Sequence, residues 1–323
     1  MNPDIGTLCE RITRWRTTIA SPSFNKGWVT MRKQCQMPGD VAVVIQAALI
    51  LEGRRPLLTQ SQTKLAKANG AETGFVNRGL TLSSAREAAP YLGPKYNACP
   101  GATAACINAC VGSRMGQGTL PSSKIARIGR SIVLALYRKE FFALIRKEIT
   151  KAERFATKRG WRLAFRTNIA SDHWQLADEL AQLFPNVVFY DYTAVMGALR
   201  NGIKRLDFAL GTMPPLVRRV YSRKDGRTKQ ALSMLKEGHG IAVVFAISAR
   251  SKGAFPATWH GAPVIDGDVN DLWFTRAPST GPFVVGLRVK GTNEQAAAAI
   301  GAGFAIQPHS AASERRHVGQ VTS

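Results

Sequence analysis

The sequence lacks any apolar run long enough to cross a membrane. Its longest run, between Val41 and Leu51, holds ten apolar residues interrupted by Gln46, whereas a membrane-spanning helix needs about 20. The first residues include Asp4 and Glu10 and lack the apolar core of a secretion signal. We therefore expect a cytoplasmic protein that has no membrane partner.

Acidic residues are scarce. The chain has 44 Lys and Arg against 21 Asp and Glu, which gives a formal net charge of +23. Hydrophobic residues make up 45% and charged residues 20% of the 323 residues, a balance typical of folded proteins and unlike that of disordered ones. An excess of positive charge this large favours a polyanionic partner, and nucleic acid is the commonest one.

The signatures of several enzyme classes are also missing. No glycine-rich loop ends in Lys-Ser or Lys-Thr, which argues against NTP hydrolysis. Only five histidines are present and only His173 lies beside a plausible acid, so a nucleophile triad has little support. Tyr190 and Tyr192 are candidates for a strand-nicking nucleophile, but the histidine cluster that usually accompanies one is absent.

Cysteines are few and unevenly distributed. Five is an odd number, which argues against a disulfide framework in a cytoplasmic chain. Cys99, Cys106 and Cys110 have the spacing C-x6-C-x3-C, and the last two can share one helical face. Thiolates select zinc or iron–sulfur clusters. The three cysteines are therefore candidate metal ligands, for an iron–sulfur cluster before zinc, and three buried packing thiols are the alternative.

Positive charge is concentrated in two segments. Residues 114–166 contain 14 basic and three acidic residues, and residues 199–229 contain nine and two. The first has the apolar stripe of amphipathic helices, and the second has a turn at Asp225-Gly226 before a helix that Thr228 could cap. Solvated helix faces are one interpretation, but acids are too few to neutralise them. We predict phosphate contacts from Arg127, Arg130, Arg138, Lys139, Arg146, Lys147, Arg218, Arg219, Arg223, Lys224, Arg227 and Lys229.

Strand-like and helix-like segments alternate from Arg162 onward, including a predicted strand at residues 205–212. This alternation predicts an α/β fold with a largely parallel sheet, either open or a partial barrel. We divide the chain into a basic helical N-terminal region (1–75), an α/β core that contains the cysteines (76–291), and a tail (292–323) that begins helical and ends flexible.

Polar side chains follow two of the predicted strands. "TNIASDHW" (167–174) comes after one strand, and "YDYT" (190–193) ends the next. Ligands gather at the carboxyl ends of parallel strands. Asn168, Asp172 and Asp191 are therefore candidate catalytic residues, whereas Ser171 is better explained as the N-cap of the following helix.

Several motifs in the same order resemble one known family. "GLTLSSA", "NACPGATAACINAC", "RTNIASDHW", "FYDYT", "PVIDGDVNDLW" and "VGLRVKG" are similar, over residues 79–291, to a phage and plasmid family known from a mycobacteriophage gene product numbered eighty-eight. The motif layout of that family is similar to that of cluster-binding radical enzymes. In length, basicity and opening residues, the whole chain also resembles the replication initiator of a broad-host-range conjugative plasmid.

Two function hypotheses from different classes follow. The first is a DNA-binding protein of a mobile element, a plasmid replication initiation protein that binds the origin and works with host replication proteins. The second is a metal or iron–sulfur enzyme of the radical type, with the three cysteines as ligands and Asn168, Asp172 and Asp191 in its pocket. A cluster-bearing enzyme that acts on nucleic acid would satisfy both signals, so the sequence leaves open whether the chain is an enzyme.

Overall fold

The structure, a computed structural model, describes residues 5–20, 39–59, 63–202, 216–249 and 253–308. The strand predicted at residues 205–212 and the predicted flexible end of the tail lie outside these ranges.

Within the described residues, nine strands form one sheet in the order β1-β2-β3-β4-β5-β6-β9-β8-β7. Every pairing from β2 to β8 in this order is parallel, and only the edge pairs β1–β2 and β7–β8 are antiparallel. The sheet is not closed, so the predicted largely parallel α/β fold is confirmed as an open mixed sheet. The strands are Leu58–Thr59 (β1), Phe75–Leu80 (β2), Arg162–Arg166 (β3), Val188–Thr193 (β4), Val217–Ser222 (β5), Ile241–Ser248 (β6), Thr258–Trp259 (β7), Ala262–Asp266 (β8) and Val284–Val289 (β9).

Helices surround this sheet, and two of them form the predicted amphipathic block. The α-helices are Ile5–Ala20 (α1), Gly39–Leu51 (α2), Thr63–Ala66 (α3), Ala89–Leu92 (α4), Ala104–Asn108 (α5), Pro121–Leu136 (α6), Arg138–Thr157 (α7), Trp174–Leu183 (α8), Met196–Arg200 (α9), Thr228–Lys236 (α10) and Asn293–Gly301 (α11). Short 3-10 helices cover Gly116–Thr119 and Trp273–Thr275.

The helix α6 begins with Pro121, whose fixed φ suits the first helical position. Ile132 on α6 and Ile145 and Ile149 on α7 are fully buried in one core with α2. Burying each such side chain stabilises the fold by about 2 kcal/mol. These apolar stripes hold α6 and α7 in place and turn the basic face of α7 outward.

Alternate residues of the central strands point to opposite faces of the sheet. Phe165 and Phe189 pack with the helices α6 to α8, whereas Ala164 and Tyr190 pack on the other face with Trp273. Because β2 to β6 and β9 are parallel, their carboxyl ends lie at the same edge. The loops that follow these strands therefore meet at that edge.

Candidate active site

A cavity of about 1070 Å³ lies at the carboxyl ends of the parallel strands. Its wall includes residues at or just beyond the ends of β3, β4, β5 and β9: Asn168, Tyr192, Lys224 and Lys290. Cys99, Cys106 and Cys110 face the same cavity. The fold thus brings the predicted metal ligands and the predicted strand-end residues to one place.

We call residues 97–118 the cysteine loop. Its short helix α5 carries Cys106, and the hydroxyl of Thr103 accepts a hydrogen bond from the Cys106 amide at 3.2 Å. The same hydroxyl donates to Asp225, and Arg227 donates to the carbonyl of Gly101 at 3.1 Å. The loop after β5 therefore fixes the position of the cysteine loop.

Two glycines allow the cysteine loop to lie directly against the strand ends. A Cβ at Gly112 would be 2.4 Å from the Cβ of Ala170, after β3, and a Cβ at Gly101 would be 2.7 Å from the Cβ of Ala194, after β4. Both distances are far below van der Waals contact. Only glycine fits at either position without moving the loop.

Cys99 is half-buried, and backbone groups contact its sulfur. Its Sγ accepts a hydrogen bond from the Ala85 amide at 3.2 Å and lies 3.7 Å from the carbonyl oxygen of Ala170. Burial raises the pKa of its thiol to about 12, with smaller raising contributions from the nearby Asp172, Cys110 and Cys106 and an opposing one from the Ala85 hydrogen bond. The three thiols and Asp172 thus interact electrostatically, and a bound cation would reverse this effect by stabilising the thiolates.

The three cysteines provide a suitable donor set for a thiolate-bound metal. They are free thiols that face one cavity, and the Ala85 amide already donates to one sulfur, as second-shell donors do at metal sites. In the described part of the chain, however, no three His, Cys, Asp or Glu side chains are close enough to hold a metal ion as they stand. Metal binding would therefore have to draw the three thiols together.

Asn168 connects the ends of β3 and β4. Its side-chain amide donates to Asp191, and its Oδ1 accepts from the Ser171 hydroxyl at 2.9 Å and from the His173 amide at 2.8 Å. His173, and not Ser171, precedes α8 as its N-cap, so the predicted capping role of Ser171 is wrong. The Ser171 hydroxyl instead orients Asn168.

The two candidate carboxylates have different surroundings. Asp191 is 1% exposed and lies behind Asn168, away from the cavity wall, and burial raises its pKa to about 7. Asp172 does line the cavity. Its Oδ2 accepts from the Ala194 amide at 2.9 Å, whereas its buried Oδ1 has no hydrogen-bond partner among the described residues. Burial also raises the pKa of Asp172.

The sequence reasoning missed an ion-pair network on the cavity wall. Arg166 donates to both carboxylate oxygens of Asp271 at 3.0 Å, and the Tyr190 hydroxyl donates to the same carboxylate at 2.9 Å. The Arg166 guanidinium also lies 4.6 Å from the ring centre of Tyr192. Asp271 comes 105 residues after Arg166 in an irregular segment, so no local pattern pairs them. In the sequence, Asp271 could have been identified as a candidate site residue through the motif "PVIDGDVNDLW", which contains it.

Three of the cations predicted to contact phosphate are engaged inside the protein. Arg127 pairs with Glu87 at 2.6 Å, and Arg219 pairs with Asp178 at 2.9 Å. Arg223 is 6% exposed and donates to the carbonyls of residues 303 and 304. These guanidinium groups are already paired within the protein, although Arg127 and Arg223 also belong to the cavity wall. The predicted cap of α10 is also wrong, because Thr228 is its first helical residue and Arg227 precedes it.

The other predicted cations divide into two groups. Arg130, Lys224 and Arg227 are half-buried; Arg130 and Lys224 line the cavity, and burial lowers the pKa of Arg130 to about 10. The remaining six are exposed, although Arg138 pairs with Glu179 and Arg218 lies over the Phe274 ring. The exposed six are Arg138, Lys139, Arg146, Lys147, Arg218 and Lys229.

None of the helices in the described ranges is long and apolar enough to span a membrane.

Comparison with curated proteins and with solved structures found no match. A family model described as "Gene product 88" matches residues 56–307. This match covers well over half of the chain and includes all the elements from β1 to α11, so the chain belongs to the gene product 88 family.

Proposed function

We propose that this chain is an iron–sulfur enzyme of the radical type, with Cys99, Cys106 and Cys110 as the cluster ligands and the cavity as the reaction site. One observation carries the proposal: three thiols from a single loop face one cavity at the carboxyl ends of parallel strands. Ligand sites of α/β enzymes are built at this edge of the sheet.

The number of ligands favours a cluster over zinc. Structural zinc sites use four protein ligands, whereas the cysteine loop provides three thiols. With Cys99, Cys106 and Cys110 as its ligands, a bound cluster would supply one-electron chemistry to a ligand in the cavity. The Ala85 amide that donates to Cys99 would tune the redox potential through its hydrogen bond to the sulfur.

The cavity wall supplies polar groups for a substrate. Asp172 lines the cavity near Cys99, and turning its carboxylate toward the cavity would let the buried, unpaired Oδ1 accept a hydrogen bond from a ligand. Asn168 holds the backbone around Asp172 through its contacts with Ser171 and His173. In this proposal Asp172 binds substrate, and Asn168 and Asp191 position it.

Anaerobic reconstitution with iron and sulfide tests the cluster. Wild-type protein should turn brown and retain iron and sulfide after desalting, and the triple variant Cys99→Ala, Cys106→Ala, Cys110→Ala should stay colourless. Cys9→Ala is the matched control, because Cys9 is a free thiol on α1 that does not line the cavity, and this variant should keep the colour. Colourless wild-type protein would contradict the proposal.

The second candidate function is that of a replication protein of a mobile element. In this role the chain would bind the plasmid origin and act with host replication proteins. The net charge of +23 and the exposed cations on α7 support it. A preference for plasmid-origin duplex over random duplex of equal length, measured across a range of salt concentrations, would support initiation. Equal affinities would refute the initiator role and leave only general binding.

We also propose a cytoplasmic location for either function. The four cysteines in the described ranges, Cys9, Cys99, Cys106 and Cys110, are all free thiols, as expected in a reducing compartment.

A further inference from the structure

The second half of α7 presents a row of cations on its outer face. Five basic residues and Thr150 surround Phe155 and form a shallow groove of about 670 Å³. No acidic side chain lines this groove. We call it the α7 groove; its cations are Arg146, Lys147, Lys151, Arg154 and Lys158.

The acidic residues nearest in sequence do not neutralise the groove. Glu148 faces inward, where its carboxylate accepts from the Leu57 and Leu58 amides at 2.9 and 3.0 Å. Glu153 is half-buried and pairs with none of the five cations. Among the described residues, no carboxylate forms an ion pair with any cation of the groove. Within the described ranges, the positive charge of the groove is therefore not paired with any carboxylate.

The groove also contains an exposed aromatic ring. Phe155 is 42% exposed, and the Arg159 guanidinium lies 3.6 Å from its ring centre. Arg159 thus covers one face of the ring, and the exposed remainder of Phe155 offers an apolar surface for a base beside the cations that would bind phosphate, as in proteins that bind nucleic-acid strands.

The spacing of the cations fits a phosphate backbone. Lys147, Lys151, Arg154 and Lys158 follow one another at steps of four, three and four residues, so they share one helical face. At 1.5 Å per residue the row extends about 16 Å, long enough for several successive phosphates. We infer that the α7 groove is a docking surface for nucleic acid.

An anionic membrane fits this surface less well. A helix that binds a bilayer inserts its apolar face, but the apolar face of α7, with Phe141, Ile145 and Ile149, is fully buried in the protein core. Among the large apolar side chains of α7, only Phe155 is exposed and could insert into a bilayer. Binding to lipid vesicles is therefore an outcome of the test that would overturn the inference.

The groove is separate from the cavity. The two share no lining residue, and α7 ends at Thr157, five residues before β3 begins at Arg162. The Lys158 end of the groove therefore lies near the amino ends of the strands, at the opposite edge from the cysteines. The inference rests on the nucleic-acid part of the proposed function and does not require the cluster.

The groove is tested by changing three of its cations together. Lys147→Gln, Lys151→Gln, Arg154→Gln should weaken binding to a random duplex at least tenfold. Because each lost phosphate contact removes about 0.9 from the slope of log K against log salt, the slope should fall by about 2 to 3. Arg14→Gln, Lys67→Gln, Lys236→Gln removes the same charge from exposed sites elsewhere and should change the slope much less.

Fluorescence anisotropy with labelled duplex and single-stranded DNA supplies the affinities, and phosphatidylserine vesicles serve as the competing polyanion. Phe155→Ala should weaken single-strand binding more than duplex binding. Equal losses in the groove and control variants, no nucleic-acid binding by wild-type protein, or preferential vesicle binding would each overturn the inference. The groove variant should retain as much iron as wild-type protein after reconstitution. This measurement tests the cluster proposal separately from nucleic-acid binding.

Discussion

At the residue scale, burial separates structural cations from cations that can bind a ligand. Arg127 occurs in the same basic segment as Arg146 and Lys147, yet its side chain is 3% exposed and donates twice to Glu87. This ion pair joins α6 to the segment after β2. Sequence alone could not separate the two kinds of residue, because both occur on amphipathic helices and the partner of Arg127 is 40 residues away.

Glu87→Gln should strongly destabilise the protein, because it leaves the buried charge of Arg127 without a counter-charge. We expect the free energy of unfolding to fall by about 3 to 5 kcal/mol in urea denaturation. The matched control is Arg138→Gln in the exposed pair with Glu179, which should cost less than about 1 kcal/mol. Similar losses in the two variants would contradict the structural role of Arg127.

Asp191 should make stability depend on pH. Burial raises its pKa from the ordinary 3.8 to about 7, so its protonated form stabilises the fold fully below about pH 4. That contribution is lost as the pH rises through 7, on the order of 4 kcal/mol in total. The free energy of unfolding, measured by urea denaturation, should therefore decrease between roughly pH 4.5 and 7.5, about the window between the two pKa values. In the variant Asp191→Asn this decrease should be smaller. An unchanged fall in the variant would exclude Asp191 as its source.

At the element scale, the sequence predicted several of the strands and helices that follow Arg162 but did not predict β5. The segments that became β3, α8, β4, α10 and β6 have clear alternating or helical periodicity, and the structure confirms each of them. The placement of the cysteine loop was not predictable. It depends on Thr103 with Asp225, 122 residues apart, and on glycines whose close neighbours lie in the segments that follow β3 and β4.

Gly112→Ala should loosen the cysteine loop. The added Cβ would meet the Cβ of Ala170 at 2.4 Å and lie 3.7 Å from the Cys110 sulfur, so the loop must move away from β3. We expect a loss of about 1 to 3 kcal/mol in unfolding free energy and lower iron retention after reconstitution. Gly301→Ala, where a Cβ meets nothing within 4 Å, should be neutral or slightly stabilising. Full iron retention by the Gly112 variant would show that the loop tolerates the shift.

At the scale of the whole molecule, the net charge of +23 correctly indicated surplus cations but not their distribution. Folding places some on the cavity wall, some in buried ion pairs and others in the α7 groove. The largely parallel sheet could be predicted because alternation along the chain determines it. The separation of the α7 groove from the cavity could not be predicted from the sequence, because it depends on how α7 crosses the sheet.

This separation predicts that nucleic acid and the cysteines do not compete. In metal-free protein, saturating duplex should leave the rate at which an uncharged maleimide alkylates Cys106 and Cys110 unchanged, because a ligand on the α7 groove does not cover the cavity. Mass spectrometry of the alkylated peptides measures both rates, with Cys9 as an internal reference. Reconstitution with iron and sulfide, by contrast, should protect both cysteines. Protection by duplex alone would place nucleic acid across the cavity mouth, and the two surfaces would then form a single site.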